Sequence, residues 1–202
     1  NIFIDSQKRI WVAPYNGGLN CLTRDGKLLA TYTTRNSSLS NNVVLSLAER
    51  EGQIWIGTDG GGINILDPET GQFSLLEHIP GRDNYSLPAN SILCLYNDRN
   101  NNMWAGSIRN GLISIREVSM KTYKDVLPGN DRGLSNSTVL SLFQESENRI
   151  WIGTDGGGIN SFNPFTEKFA HYPSTWEDKV ASICPFTPGK LLISLFSQGV
   201  FI

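Results

Sequence analysis

One eleven-residue phrase, Ile-Trp-Ile-Gly-Thr-Asp-Gly-Gly-Gly-Ile-Asn, occurs twice in this chain without a change, at residues 54–64 and 150–160. Degraded copies lie around Trp11, Trp104 and Leu192, so the anchor positions 11, 55, 104, 151 and 192 are 44, 49, 47 and 41 residues apart. A period in this range is typical of repeat architectures, in which each unit buries its apolar surface against its neighbours. The chain is therefore predicted to fold as a row of similar units.

Each unit predicts four short strands. The first is an apolar, β-branched run that ends in charge, and the second is the Ile-Trp-Ile-Gly-Thr segment, whose side chains alternate between two faces. The glycine triplet turns the chain into a third strand, an Asp-Pro-Glu-Thr-Gly turn follows, and the fourth strand carries an aromatic residue. No convincing helical period extends over about ten residues. The first strand is predicted at residues 43–49 and 139–145, and the second at 54–58 and 150–154. The third strand is predicted at residues 63–66 and the turn after it at 67–71, and the fourth strand lies around Phe73, Tyr123 or Phe169.

Four strands per unit, this period and a Trp-Gly signature together indicate an all-β fold, a β-propeller of four-stranded antiparallel blades. The sheet of one blade has two apolar faces that only neighbouring blades can cover, and the repeated tryptophan is predicted to pack between blades. Residues 1–10 supply the end of a first strand and residues 199–202 only the start of a third, so about four and a half blades are present. We expect residues 1–202 to be a partial propeller from a larger ring, for instance one of about seven blades. The blade anchors are Trp11, Trp55, Trp104, Trp151 and Leu192.

Composition and charge argue against several classes of protein. A formal net charge of −2, without a basic cluster, gives no electrostatic footprint for nucleic acid. Polar residues interrupt each hydrophobic run before the length of about 18 residues that a membrane span needs. The three cysteines lie in different repeats without a Cys-x-x-Cys spacing, which favours buried apolar thiols over metal or redox chemistry. No signal peptide is visible, but the sequence begins in mid-pattern and is compatible with the earlier removal of one.

The repeat resembles a known family. A Leu-Ser-Asn-Asn opening, a Ser-Leu pair, the eleven-residue phrase and an Asp-Pro-x-Thr-Gly-x-Phe turn together resemble the two-component regulator propeller repeat. That family is found in the extracytoplasmic sensor region of hybrid histidine kinases of gut Bacteroides-type bacteria. The matching residues are 39–42, 46–47, 54–64 and 67–73 in blade 2, and 134–136, 141–142 and 150–160 in blade 4.

The resemblance implies a sensor rather than an enzyme. In the family, two consecutive propellers and an immunoglobulin-like domain lie in the periplasm, and a membrane helix leads to a kinase, a receiver and a DNA-binding domain. Similar members sense oligosaccharides released from dietary or host glycans and switch on polysaccharide-utilisation genes. The resemblance therefore implies a periplasmic, homodimeric ectodomain with an oligosaccharide ligand, without a cofactor, and without nucleic-acid contact by this segment.

Residues that depart from the repeat are the candidate ligand contacts. Blade 1 replaces the Gly-Thr-Asp of the phrase with Ala-Pro-Tyr, blade 3 has Ser-Ile-Arg and blade 5 has Ser-Leu-Phe, and long connections at residues 78–90 and 124–136 add further side chains. Aromatic rings and guanidinium groups suit sugar rings and acidic sugars. The predicted ligand-binding residues are Tyr15, Arg82, Tyr85, Arg109, Arg132, Trp176 and Phe196.

Two other functions remain open. A propeller lyase or glycoside hydrolase would use Asp59, Asp155, Glu177 or a histidine, and a carboxylate pair for glycoside hydrolysis needs a separation of roughly 5–10 Å. Because Asp59 and Asp155 each recur inside a repeat, a backbone-bonding turn role is favoured for them. The third hypothesis is an architectural propeller that docks another protein.

Other motifs have structural interpretations. The glycine triplets at 60–62 and 156–158 are not followed by a helix, so they lack the N-terminal dipole of a phosphate loop. Residues 98–102 have the opening spacing of a calcium loop without its later glycine and glutamate, which predicts a hairpin turn. His78 and His171 are isolated and are predicted to have surface or packing roles. No metal site and no cofactor are predicted.

Overall fold

The computed structural model describes residues 1–80, 86–115, 120–127, 130–172, 179–196 and 198–202. Within these ranges the chain forms nineteen strands and no helix. Blade 1 contains β1 (Ile2–Ile4), β2 (Ile10–Val12), β3 (Leu19–Leu22) and β4 (Leu28–Tyr32), and blade 2 contains β5 (Val44–Arg50), β6 (Gln53–Thr58), β7 (Ile63–Leu66) and β8 (Phe73–Leu76). Blade 3 contains β9 (Ile92–Asn97), β10 (Met103–Ser107), β11 (Gly111–Ile115) and β12 (Met120–Tyr123), and blade 4 contains β13 (Val139–Ser146), β14 (Arg149–Thr154), β15 (Ile159–Asn163) and β16 (Lys168–Tyr172). Blade 5 contains β17 (Val180–Thr187), β18 (Lys190–Leu195) and β19 (Gly199–Phe201).

The strands pair into five antiparallel sheets, each a meander of strands consecutive in sequence. Four sheets have four strands, and the fifth has the three strands β17, β18 and β19. The sequence prediction of an all-β partial propeller is confirmed, including the unfinished fifth blade. The anchor residue of each blade lies on the second strand of that blade, so the anchors and the strands recur with the same spacing along the chain.

The predicted turn between the third and fourth strands forms through side-chain bonds to the backbone. In blade 2, Asp67 Oδ1 accepts from the backbone N–H of Glu69 at 2.9 Å, and Gly71 closes the turn with a φ of 72°. Blade 4 builds the same turn with other residues. Asn163 takes the aspartate's place, and Glu167 takes the glycine's place at a φ of 57°.

The hydrophobic core lies between blades. Trp11 is fully buried and packs with Ile54 of blade 2, and the Trp104 ring is 5.5 Å from the Phe162 ring of blade 4 in an edge-to-face contact. Such aromatic pairs contribute about 0.5–1.5 kcal/mol beyond the area they bury. The other two junctions contain Trp55 with Met103 and Trp151 with Val180. The tryptophans therefore pack between blades, as the sequence predicts.

The outer faces of the first and last blades are apolar and exposed. Ile2 pairs with the residue after Trp11, and Leu95 pairs with the residue after Trp104, so the two positions are equivalent. Leu95, covered by blade 2, is 9% exposed, whereas Ile2 is 70% exposed. Val200 and Phe186 are exposed on blade 5 in the same way. In a larger ring these are the surfaces that adjoining blades cover.

Candidate ligand-binding face

The meander places two kinds of connection at the same end of every sheet: the turn between the second and third strands, and the loop from a fourth strand to the next blade. This end is named the loop face, and those loops the inter-blade loops. The opposite end, with the other two turns of each blade, is named the hairpin face. Short loops held by rigid sheets are frequent positions for binding residues, which makes the loop face the candidate site.

The identical phrase in blades 2 and 4 is explained by contacts within the ring. A Cβ added to Gly57 would lie 2.9 Å from Ile92 Cγ2 of the next blade, so only glycine allows this approach. Gly60 and Gly62 have φ angles of 84° and 74°, which other residues rarely adopt. Thr58 is fully buried, and its Oγ1 donates to the Gly62 carbonyl at 2.9 Å. These residues close the turn and bring the blades together.

The last residue of the phrase fixes the preceding inter-blade loop to the blade. Asn64 is fully buried; its Oδ1 accepts from the Ser40 N–H at 2.9 Å, and its Nδ2 donates to Ser40 Oγ at 2.7 Å. Ser40 Oγ in turn donates to the Gly61 carbonyl at 2.6 Å. In blade 4, Asn160 and Ser135 make the same pair of bonds, at 2.9 and 2.8 Å. A buried amide with both ends paired accounts for asparagine at this position.

The aspartate of the phrase contacts the following blade. Asp59 Oδ1 accepts from Ser91 Oγ at 2.9 Å, and Asp155 Oδ2 pairs with Lys179 Nζ at 3.1 Å. The backbone N–H of each aspartate also donates to the inter-blade loop of its own blade. The sequence predicts a backbone-bonding turn role, and the structure adds a side-chain contact across the blade junction.

Four of the predicted ligand-binding residues lie within the described residues, and all four are exposed on the loop face. Tyr15 and Phe196, 94% and 65% exposed, lie in the turns after the second strands of blades 1 and 5, and Arg109 lies in that turn of blade 3 with a φ of 62°. Arg132 lies in the loop between blades 3 and 4. The structure places them on one face, on different blades. The other predicted residues, Arg82, Tyr85 and Trp176, and Glu177 of the enzymatic alternative, lie outside the described residues.

A cavity of about 350 Å³ lies along the first strands of blades 2 to 5, which form the wall of the central channel. Each of these strands has a register irregularity at the same position, and the residue at the irregularity is leucine in three blades and alanine in the fourth. A bulge leaves the extra residue outside the regular ladder, which directs it to the channel. The sequence analysis did not identify this recurring position. The four residues are Leu45, Leu93, Leu140 and Ala181.

The hairpin face contains a second motif that the sequence analysis did not identify, an acidic residue six positions before the tryptophan. The indole Nε1 donates to this carboxylate in three blades, which satisfies a buried donor. The Asp98 carboxylate also accepts from the Asn102 N–H at 2.8 Å, so residues 98–102 are a hairpin turn, as the sequence predicts. The three pairs are Trp11 with Asp5 at 3.0 Å, Trp104 with Asp98 at 2.8 Å and Trp151 with Glu145 at 3.1 Å.

Blade 2 departs from this motif. Glu49 occupies the acidic position, but its carboxylate accepts from the backbone N–H and the hydroxyl of Ser6 in blade 1. Trp55 Nε1 is buried without a hydrogen-bond partner among the described residues. In blade 2 the carboxylate therefore links two blades, and the indole is left unpaired.

Asp5 is the most enclosed carboxylate of the motif. Its side chain is fully buried, and it forms an ion pair with Arg9 Nε at 2.6 Å. Burial raises the pKa of Asp5, but the hydrogen bonds from Trp11 and Arg9 outweigh it, so the pKa lies below its ordinary value of 3.8. Arg9 Nη1 also pairs with Glu69 of blade 2 at 2.9 Å, which joins the two blades.

The two histidines bind backbone carbonyls. His78 Nδ1 lies 2.7 Å from the Leu87 carbonyl, and His171 Nε2 lies 2.8 Å from the Gly133 carbonyl. Because a carbonyl only accepts, each ring nitrogen is the donor. Both rings hold inter-blade loops, which is a packing role. Within the part of the chain that the structure describes, no three His, Cys, Asp or Glu side chains form a group able to hold a metal ion.

Three segments, residues 38–60, 86–109 and 133–156, match the family described as the two component regulator propeller. The three matched segments are thus similar to the two component regulator propeller repeat. Each matched segment runs from an inter-blade loop, through the first two strands of blade 2, 3 or 4, to the turn that follows. The matched segments therefore contain residues that join one blade to the next, such as Gly57 and Asp59. No curated protein matches the chain.

Solved structures share the fold over nearly the whole chain. The extracellular domain of a proposed hybrid two component system from B. thetaiotaomicron matches with a TM-score of 0.82 and 23% identity, over 99% of this chain and 27% of that one. The extracellular domain of a proposed one component system from the same organism matches with a TM-score of 0.72 and 18% identity, over 98% and 26%. The chain thus spans about a quarter of the length of each.

An enzyme also shares the fold. Virginiamycin B lyase from Staphylococcus aureus matches with a TM-score of 0.69 and 14% identity, over 95% of this chain and 61% of that one. At this identity the likeness shows the propeller fold alone. In the described ranges of the chain, no helix is long and apolar enough to cross a membrane.

Proposed function

We propose that this chain is part of the extracytoplasmic ligand-sensing domain of a hybrid two component histidine kinase. In this proposal it binds a glycan-derived oligosaccharide and regulates polysaccharide-utilisation genes. The observation that carries the proposal is the match of three blades to the regulator propeller, on a fold shared with the extracellular domain of such a system.

The proposal includes a location and partners. The region lies in the periplasm as the ectodomain of an inner-membrane protein, next to a second propeller and an immunoglobulin-like domain of the same chain, in a homodimer. The ligand shifts the equilibrium between two arrangements of the dimer through its different affinity for each.

The difference between the repeated turns and the variable turns of the ring supports ligand binding on the loop face. In blades 2 and 4 the turn residues are used in contacts between blades, such as that of Asp59 with Ser91. In blades 1, 3 and 5 the same turns carry the exposed side chains of Tyr15, Arg109 and Phe196. Exposed aromatic faces and a guanidinium fork are suited to sugar rings and their substituents.

A thermal-shift titration tests the proposal. The complete extracytoplasmic region that contains this chain is titrated with defined oligosaccharides, and the sugars are analysed for cleavage afterwards. A ligand at a hundred times its dissociation constant adds about 2.7 kcal/mol of stability, which is readily detected. We expect a rise in melting temperature that Tyr15→Ala weakens and that Phe165→Ala, at an exposed aromatic of the hairpin face, leaves unchanged.

The outcomes separate the three functions. A shift with intact sugar supports the sensor, whereas cleaved sugar supports a lyase or hydrolase, a candidate kept because a propeller lyase shares the fold. If no oligosaccharide in the panel shifts the melting temperature, the sugar-sensing proposal is wrong and protein docking becomes the better explanation.

A further inference from the structure

Three side chains from separate segments meet on the loop face at the junction of blades 4 and 5. Phe196 is exposed in the turn between β18 and β19, and the ammonium of Lys179 lies 5.9 Å from the centre of its ring. The same ammonium is 3.1 Å from Asp155 Oδ2. The backbone fixes the arrangement, because Phe196 N–H donates to the Lys179 carbonyl at 2.9 Å and Lys179 forms an isolated bridge with Asp155.

The junction of blades 2 and 3 provides an internal comparison. There, the Ile108 N–H donates to the Ser91 carbonyl at 3.1 Å, and Ser91 Oγ donates to Asp59 Oδ1 at 2.9 Å. The backbone bond and the side-chain contact are in equivalent places, but here the hydroxyl of Ser91 and the half-buried side chain of Ile108 are sufficient to form the junction. The long cation of Lys179 and the exposed ring of Phe196 are therefore additions that the blade junction does not require.

The ion pair at this junction keeps hydrogen-bonding capacity for a ligand. The side chains of Lys179 and Asp155 are 53% and 32% exposed, and an exposed pair of this kind contributes only about 0–1 kcal/mol to stability. An ammonium has three N–H donors and a carboxylate has two acceptor oxygens, so one mutual contact does not saturate either group. A donor and an acceptor therefore stand side by side, with the donor 5.9 Å from the centre of an exposed aromatic ring.

This combination matches the chemistry of a pyranose. The C–H face of the sugar packs on an aromatic ring, and two adjacent hydroxyls are each able to donate and accept. The charges of Lys179 and Asp155 cancel, and an anionic sugar drawn to the ammonium would meet the carboxylate next to it. This ion pair therefore favours a neutral sugar unit over an anionic one.

We propose that Phe196, Lys179 and Asp155 form a subsite for one neutral pyranose unit of the ligand. The sugar ring stacks on Phe196, Lys179 Nζ donates to one hydroxyl oxygen, and the neighbouring hydroxyl donates to Asp155. The subsite rests on the proposed oligosaccharide-sensing function and adds to it the class of sugar and the polar residues that hold it.

Isothermal titration of the complete extracytoplasmic region tests the subsite. The probes are cellohexaose, mannohexaose and xylohexaose, with a galacturonic acid hexamer as the acidic comparison. We expect binding of a neutral hexamer that Phe196→Ala weakens at least tenfold and Lys179→Met about fivefold. Phe165→Ala, which removes an equally exposed ring from the hairpin face, should change the affinity less than twofold. Melting temperatures without ligand show whether each variant is folded.

Failure of the subsite is distinguishable from failure of the sensor function. If the wild type binds a neutral hexamer and folded Phe196→Ala binds it equally well, the subsite is wrong and the sensor function stands. If the wild type binds only the acidic hexamer, and Lys179→Met abolishes that binding, the assignment of a neutral sugar is overturned. If the wild type binds none of these sugars, the subsite is overturned together with the sugar-sensing function.

Discussion

The buried amide of Asn64 provides the sharpest test of how the blades hold their inter-blade loops. Asn64→Ala removes two hydrogen bonds to Ser40, at 2.9 and 2.7 Å, from a fully buried side chain. Each bond contributes about 0.5–1.5 kcal/mol net, so their loss costs about 1–3 kcal/mol, and the void left by the amide adds to this. We expect a destabilisation of about 2 kcal/mol. Asn160→Ala, in the equivalent pair of blade 4, should cost a similar amount.

Urea unfolding, followed by both tryptophan fluorescence and circular dichroism, measures this loss as a lower midpoint at an unchanged m-value. Two probes are needed because repeat units are able to unfold separately. Asn148→Ala is the control, since Asn148 is exposed in the β13–β14 hairpin, and it should change the free energy of unfolding by less than about 0.5 kcal/mol.

A double-mutant cycle with Ser40→Ala then isolates the contact. Residues that share a hydrogen bond couple by about 0.5–3 kcal/mol, whereas independent sites are additive. Additive effects of the two substitutions, or a loss below about 0.5 kcal/mol for Asn64→Ala alone, would refute the reasoning.

Three further predictions concern other parts of the ring. The pKa of Asp5 is lower in the folded than in the unfolded state, so its carboxylate stabilises the fold above about pH 4, and this contribution is lost as the pH falls through the folded-state pKa. The difference in unfolding free energy between wild type and Asp5→Asn should therefore become smaller in acid. A difference that stays constant with pH would contradict this. Iodoacetamide at pH 8 should label exposed Cys184 in this chain much faster than Cys94, because burial raises the pKa of Cys94 to about 12, and peptide mass spectrometry reads out both rates. Ser6→Ala removes the hydroxyl bond to Glu49 Oε1 but keeps the backbone N–H bond to Oε2. The freed oxygen should then accept from Trp55 Nε1, and a downfield shift of that indole N–H resonance, rather than an unmoved peak, is the expected result.

The repeated phrase was sufficient to predict the architecture because it encodes a strand, the turn after it and the contact with the next blade. Consecutive apolar residues, whose side chains alternate between two covered faces, specify a strand. Trp55 fills the gap to the next blade, and the glycines allow turns and close approaches that a side chain would block. The count of blades follows from the spacing of these anchors. The exposed positions of Tyr15 and Phe196 also follow, since both replace a residue that the repeat uses for structure.

The tertiary structure alone decided which partner each repeated residue takes. Two identical phrases place an aspartate at the same position, yet Asp59 bonds the hydroxyl of Ser91 and Asp155 pairs with the ammonium of Lys179. The partner lies on the next blade, more than twenty residues further along the chain, where the repeat is least regular. Local sequence therefore determined each blade. The packing of one blade against the next determined the chemistry at their junctions, because these contacts join residues that are distant in the chain and meet only when neighbouring blades pack.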